Sequence, residues 1–251
     1  MHLSVILPYF KKKKYIKQTL NSIINQTFKR HELIIVYDQV DKSDIPYIKG
    51  ILKNRIKYKI IENRYNLGAG KSRNIGIKRS KSKYIAFCDA DDLWHKKKSE
   101  IQLKIMKENK LNFSHTDYDL INKKNKIIGH MKVKKNLNYN DLLRSCDIAS
   151  SSVIIERSIL KKSFKFGDTK TKEDFSLWLK ISKSNKIYGI NKKLLNWRSA
   201  ENSLSSNIKQ KFTDAYTVFK NIENQNFIIT VFYVIRLSIY YVIKRVKQKV
   251  S

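Results

Sequence analysis

The apolar run Tyr84-Ile85-Ala86-Phe87-Cys88 passes without a spacer into Asp89-Ala90-Asp91-Asp92. Five consecutive apolar residues read as a strand buried on both faces, as in a parallel sheet covered by helices. Three carboxylates within four positions cannot follow that strand into the interior, because repulsion and desolvation penalise them unless a cation or a polar network offsets the charge. The strand must therefore end at an open edge of the sheet. In open α/β sheets, the crevice beyond the carboxyl ends of the strands is where ligands bind.

The flanking sequence predicts such a sheet. Residues 3–7 (LSVIL) form a short apolar run stopped by Pro8, and Tyr15, Ile16, Leu20, Ile23 and Ile24 recur at helical spacing over 14–26. A second apolar strand, 32–36 (ELIIV), precedes a short helix at 44–53 and a third strand at 57–61. The turn Asn66-Leu67-Gly68-Ala69-Gly70 feeds a helix reaching about residue 80. Strands alternating with helices at this spacing argue for a parallel sheet with helices on its faces. Downstream, a helix is expected over 95–109, two strands over 112–132 around Asn125, a strand at 152–156, and a helix opening with Glu173 and Asp174. No linker of Gly and Ser interrupts these pieces, so residues 1–210 are expected to form one domain and 211–251 a C-terminal helical region.

Composition narrows the class further. A chain of 251 residues that is 41% hydrophobic can build a real core, which excludes wholesale disorder. Seven Gly and two Pro exclude collagen-like and linker-rich chains, and no internal repeat suggests a solenoid. Cys88 and Cys146 form no CxxC pair, and the start MHLSVILPYF is too short for a signal peptide, so a cytoplasmic chain with inert thiols is expected. Lys and Arg number 53 against 21 Asp and Glu, a formal charge of +32. An AT-rich coding bias toward Lys, Asn and Ile accounts for part of this excess. The remainder points to an anionic partner: nucleic acid, phospholipid head groups or a phosphorylated substrate.

Read from the residues alone, each chemical candidate has two meanings. The Asp89, Asp91, Asp92 cluster can hold Mg2+ or Mn2+ on a diphosphate, because these ions take oxygen ligands from one or two carboxylates plus substrate phosphates. It can equally be an acidic turn capping the following helix. Asp38 can accept from a base or sugar, or close an Asx turn. Glu173 and Asp174 can cap a helix or supply a general base, although a helix start favours the charged carboxylate. Gly70-Lys71-Ser72 resembles the end of a P-loop, but that motif needs glycine where Tyr65 stands. Lys71 and Arg73 in a first helical turn can still approach phosphate. Five scattered histidines show no zinc-binding spacing.

Taken together, SVILPYF (4–10), ELIIVYD (32–38), NLGAGKSRNIGIKRSKSKYIAFCDADD (66–92), KEDFSLWLK (172–180) and WRSAENSLSS (197–206) resemble the inverting family 2 glycosyltransferases of the GT-A fold. The resemblance covers roughly residues 3–206. It implies a nucleotide-sugar donor, with a UDP-sugar expected. Pro8, Tyr9, Asp38, Arg73 and Arg198 would lie about the nucleotide, Asp89 would contact the ribose, Asp91 would ligate Mn2+ or Mg2+, and Asp174 would be the general base. Two departures stand out. Relatives read VDDGS where this chain has Val36-Tyr37-Asp38-Gln39-Val40, and a histidine that joins the metal shell in relatives is Ala200 here, which leaves Glu201 or water to fill the gap. Ser203 and Ser205 keep the pattern.

The tail lies outside that resemblance. From Phe227 to Ile243 only Thr230, Arg236 and Ser238 are polar, and Lys244, Arg245, Lys247 and Lys249 follow. These 17 residues span roughly 26 Å as a helix, short of a hydrocarbon core of about 30 Å. A helix lying in the interface is expected, against a homodimer contact or a true span. The whole reads as a peripheral enzyme on the inner face of the plasma membrane, moving a sugar to a lipid-linked or envelope glycan such as lipopolysaccharide or capsule. Two alternatives stand beside it: a catalytically degenerate partner subunit, and a basic nucleic-acid-binding protein. No specific nucleic-acid motif is visible.

Overall fold

Every residue of Leu3–Tyr9 (β1) is buried, and so is every residue of His31–Tyr37 (β2), as two-sided strands require. In the computed structural model, which describes residues 2–160, 164–199 and 208–250, these strands lie at the heart of a ten-stranded sheet. The elements run β1, α1 (Lys13–Ile24), β2, α2 (Ile45–Leu52), β3 (Lys57–Glu62), α3 (Ala69–Arg79), β4 (Tyr84–Phe87), β5 (Leu93–Trp94) and α4 (Lys98–Glu108). They continue with β6 (Phe113–Ile121), β7 (Ile127–Met131), β8 (Asn136–Leu137), α5 (Tyr139–Leu142), β9 (Ile154–Glu156), α6 (Glu173–Ser182), β10 (Ile187–Arg198), α7 (Ile208–Thr217) and α8 (Phe227–Val250).

The strand order is β3-β2-β1-β4-β9-β6-β10-β5, with β7 added to β6 and β8 to β10. The first four strands in that order are mutually parallel, β9 is antiparallel to both its neighbours, and β6 and β10 are parallel. The chain therefore adopts the α/β, Rossmann-like architecture with a mostly parallel sheet flanked by helices. Side chains alternate across β1 as strand geometry demands. Val5 and Leu7 pack with Ile16, Leu20 and Ile23 of α1. Ile6 faces the other way, toward a cluster holding Phe87, Phe113, Phe166 and Trp178. Trp178 is ringed by Phe113 at 5.2 Å, Phe166 at 5.6 Å and Phe87 at 6.2 Å, which fastens α6 to the sheet.

Several boundaries differ from expectation for local reasons. Pro8 does not stop β1. Even-numbered residues of β1 bond toward β4, as Ile6 O does in accepting from Cys88 N–H, and that pairing ends at Ile6. The N–H that proline lacks thus falls where no partner strand remains. The helix expected from residue 95 begins at Lys98, because Leu93 and Trp94 pair with Asn196 and Leu195 of β10. β10 itself was not anticipated.

At the C-terminal end, α7 leads through a π-helical turn (Val218–Ile222) into α8. Ala215, Val218, Phe219 and Leu237 join the Trp178 cluster, while Tyr139 and Lys183 bind Glu223 at 2.6 Å each. Among the described residues, no helix is long and apolar enough to cross a membrane.

Candidate active site

The carboxyl ends of β1, β2 and β4 deliver Tyr9, Asp38 and Asp89 to one edge of the sheet. Arg73, on α3, organises that edge. Its guanidinium is almost wholly buried, donating to Asp89 Oδ1 at 2.6 Å and Glu173 Oε1 at 2.7 Å, and it lies 5.2 Å from the centre of the Phe166 ring. The neighbouring carboxylates Asp89, Glu173 and Asp174 raise its pKa against the opposing effect of burial. One side chain thus ties the acidic end of β4 to the acidic start of α6, two motifs far apart in the chain.

Glu173 and Asp174 do not cap α6. They occupy its first turn, after Lys172, and their side chains diverge. Glu173 turns inward to Arg73, whereas Asp174 Oδ2 accepts from Ser150 Oγ at 2.9 Å and Oδ1 from the N–H of Phe175 at 2.7 Å. Burial raises the pKa of both carboxyls. Glu173 is pushed up to about 7 by burial and by Asp174, with Arg73 opposing, and Asp174 is raised by burial against Arg73 and Ser150. The helix start alone favoured the charged carboxylate, but here desolvation outweighs it. A carboxylate made more basic in this way suits proton abstraction better than capping.

The Asp89–Asp92 segment is a turn rather than a cap for α4, with Asp92 N–H donating to Asp89 O at 3.1 Å. Asp89 N–H donates to Ser151 Oγ at 2.9 Å, and Thr19 Oγ1 donates to Ala90 O at 3.1 Å. Asp92 is buried, with Oδ1 accepting from Arg198 N–H at 2.8 Å. Its pKa is held well above the usual carboxylate range by burial, Asp91 and Asp89. Asp91 is likewise raised by burial, against the pull of Lys12, whose Nζ lies 2.5 Å from Asp91 Oδ2. This crowding of charge, an ammonium already drawn to Asp91 and an all-oxygen donor set all fit a divalent cation of the Mg2+ or Mn2+ type. Among the described residues, no three His, Cys, Asp or Glu are grouped to hold a metal ion.

The other expected residues are placed as follows. Asp38 is buried, accepting from Asn63 Nδ2 at 2.7 Å and from the N–H groups of Leu67 and Gly68 at 2.8 Å each. It fastens the 63–68 turn rather than closing an Asx turn of its own. Tyr9 points into the core, donating to Asp44 at 2.6 Å and stacking on Tyr37 at 5.0 Å, and Pro8 is buried beside Val36. Arg198 is spent on main-chain oxygens, those of Asp91 at 2.8 Å and Asn122 at 2.9 Å, with Tyr15 beneath its guanidinium. Ala200, Glu201, Ser203 and Ser205 lie outside the described residues. Gly70 serves packing rather than phosphate binding, since a Cβ there would come within 2.5 Å of Gly167 O. Burial pushes both thiols up, Cys146 to about 12.

Sequence reasoning missed the Ser150–Ser152 turn, which touches Asp89 and Asp174, and the partnership of Glu173 with Arg73. The run Ser150-Ser151-Ser152 ahead of an apolar strand was the available signal.

The parallel strand ends of this α/β sheet thus present a carboxylate turn, joined by a buried arginine to a second carboxylate pair. The chain belongs to glycosyl transferase family 2, whose family model matches residues 4–164. It is 34% identical over 208 residues to the Escherichia coli UDP-Glc:alpha-D-GlcNAc-diphosphoundecaprenol beta-1,3-glucosyltransferase WfgD, spanning 82% of this chain and 80% of that one. Among solved structures it is similar to residues 1–349 of S. aureus TarS in complex with UDP-GlcNAc, with a TM-score of 0.75, 22% identity, and coverage of 88% of this chain and 65% of that one. It also resembles the mannosyltransferase PcManGT from Pyrobaculum calidifontis in complex with GDP-Man and Mn2+, with a TM-score of 0.69, 12% identity, and coverage of 90% and 65%. The chain thus spans just under two thirds of each of these two solved chains.

Proposed function

We propose that this glycosyltransferase moves a sugar from a UDP-sugar to a hydroxyl of a lipid-linked glycan acceptor, inverting the anomeric centre in a single displacement. The observation that carries this reading is the Arg73 bridge, which sets the Asp89–Asp92 turn and the Glu173–Asp174 pair around one space. Asp174, steadied by Ser150, takes the proton of the acceptor hydroxyl as its oxygen attacks the anomeric carbon, and the bond to the diphosphate oxygen breaks in the same step. Asp91, with the diphosphate, would hold Mn2+ or Mg2+. A bound divalent ion supplies neutralisation of the charge left on the departing nucleoside diphosphate. Asp89 faces the ribose. Asp38 keeps the 63–68 turn, with Pro8 and Tyr9 behind it, in shape for the nucleoside, and Arg198 fixes the Asp91 main chain for the diphosphate.

The WfgD name, with its UDP-Glc donor and diphosphoundecaprenol-linked acceptor, supports the donor and acceptor classes. In this reading residues 1–210 are the catalytic unit and 211–251 a helical extension that holds the chain on the cytoplasmic face of an anionic membrane. The test is thermal unfolding with UDP, GDP, CDP and dTDP, each with and without Mn2+. Saturation with UDP at about a hundredfold over Kd adds roughly 2.7 kcal/mol, or about 5–10 °C in Tm for a chain of this size. A Mn2+-dependent rise with UDP alone is expected. No rise with any nucleotide would overturn the donor assignment and favour a catalytically degenerate subunit.

A further inference from the structure

We propose that the outward face of α8 and the neighbouring β6–β7 hairpin form one docking surface for an anionic phospholipid bilayer, with the hairpin as a second anchor beside the helix. One side of α8 is satisfied by the protein, where Thr230 and Leu237 are buried and Tyr233 and Val234 pack against the Trp178 cluster. The other side is apolar and uncovered. Ile228, Phe232, Ile235, Ile239 and Val242 recur at steps of four and three residues, one continuous stripe, and each is at least half exposed. Beside it, α8 packs against β7, whose Ile127 and Ile128 are 49% and 52% exposed. Exposed apolar area of this extent marks an interaction surface.

The charge around this surface selects its occupant. No Asp or Glu occurs from Phe227 to the end of the chain, nor from Asn122 to Asn140, whereas Lys124, Lys126 and Lys132 border the hairpin and Lys244, Arg245, Lys247 and Lys249 end the helix. A second copy of a chain carrying +32 would bring like-charged rims together, while anionic head groups complement them. Arg236, midway along α8, folds its guanidinium over Phe232 at 5.3 Å and Tyr233 at 4.8 Å, as a cation does when it must reach head groups from an apolar helix. The helix therefore lies in the plane of the interface. The surface stands without the catalytic reading, and only its consequence rests on that reading: a lipid-linked acceptor would be met where it resides.

The test is sedimentation of the full chain with phosphatidylcholine vesicles, with and without phosphatidylglycerol, for the wild type and for Ile128→Asp and Ile235→Asp. UDP binding and Tm are measured on the same samples. The wild type should partition onto phosphatidylglycerol vesicles and be released by salt. Each substitution should weaken partitioning roughly tenfold or more, with Tm and UDP binding unchanged because both side chains are exposed and neither joins the bonds that hold the acidic turn. Replacing Lys244, Arg245, Lys247 and Lys249 by Gln should weaken it by roughly fivefold per charge. Wild-type partitioning of Ile128→Asp would remove the hairpin from the surface and overturn the proposal. So would equal binding to neutral vesicles, or a stable dimer in sedimentation velocity with no vesicle binding. Vesicle binding without UDP binding would instead leave the surface standing and defeat the transferase reading.

Discussion

Arg73→Met removes the cation that joins the two acidic motifs, and the structure sets the size of the loss. The Arg73 side chain is 4% exposed and that of Glu173 11%, so their bond at 2.7 Å is a buried ion pair. Breaking one partner of such a pair costs about 3–5 kcal/mol, mostly because the remaining charge is stranded. Asp89 is 32% exposed, and water replaces much of what it loses, so its share is about 0–1 kcal/mol. Glu173→Gln costs less, because Arg73 keeps Asp89 and the amide oxygen can still accept. In Arg73→Met/Glu173→Gln no charge is stranded at that position, so the double variant should recover at least about 2 kcal/mol relative to the sum of the singles. Urea denaturation of all four proteins above the value of about 7 to which Glu173 is raised, where its carboxylate is ionised, measures this coupling. Additivity within about 0.5 kcal/mol would refute the claim that Arg73 and Glu173 are coupled as a buried ion pair.

Two further outcomes follow from the same geometry. Glu173 rises from 4.5 unfolded to about 7 folded, so the native state binds the extra proton between those values and its stability falls as pH rises through that window. Glu173→Gln should flatten this part of the stability profile by about 3 kcal/mol, and an unchanged slope in urea titrations from pH 4.5 to 7 would show that Glu173 does not titrate there. Gly70→Ala places a Cβ 2.5 Å from the main-chain oxygen of Gly167 and 3.0 Å from Glu173 Cβ, so α3 must move away from α6. A loss of roughly 1–3 kcal/mol is expected, and unchanged stability would mean that α3 does not pack this closely on the 167 loop.

The half of the fold that ends at Asp92 was legible because β1, β2 and β4 are largely apolar runs and α1 carries a clear helical period. β10 was not, since its buried ends are separated by the exposed Asn191-Lys192-Lys193, which breaks both two-fold and helical periodicity. That strand matters to the site, because its last residue, Arg198, braces Asp91 and Asp92. The acidic turn and the Glu173–Asp174 pair could be found by residue type and position. Their connection could not, because Arg73 and Glu173 lie 100 residues apart and only the packing of α3 on α6 makes them partners. The inward turn of Tyr9 was equally hidden: alternation along β1 places it with Val5 and Leu7, but nothing local marks Asp44 as its acceptor.

The central claim is that Asp174 is the base of an inverting transfer at the Arg73-linked acidic edge. It is tested most directly by following turnover of a UDP-sugar onto a lipid-linked glycan acceptor with Mn2+ for wild type and Asp174→Asn, with the anomeric configuration of the product read by NMR. The account predicts an inverted product, a kcat lowered about 10²–10⁴-fold by the substitution, and UDP affinity unchanged within about threefold, because among the described residues Asp174 bonds Ser150 and the Phe175 amide. Near-wild-type turnover by Asp174→Asn, or a product of retained configuration, would contradict it.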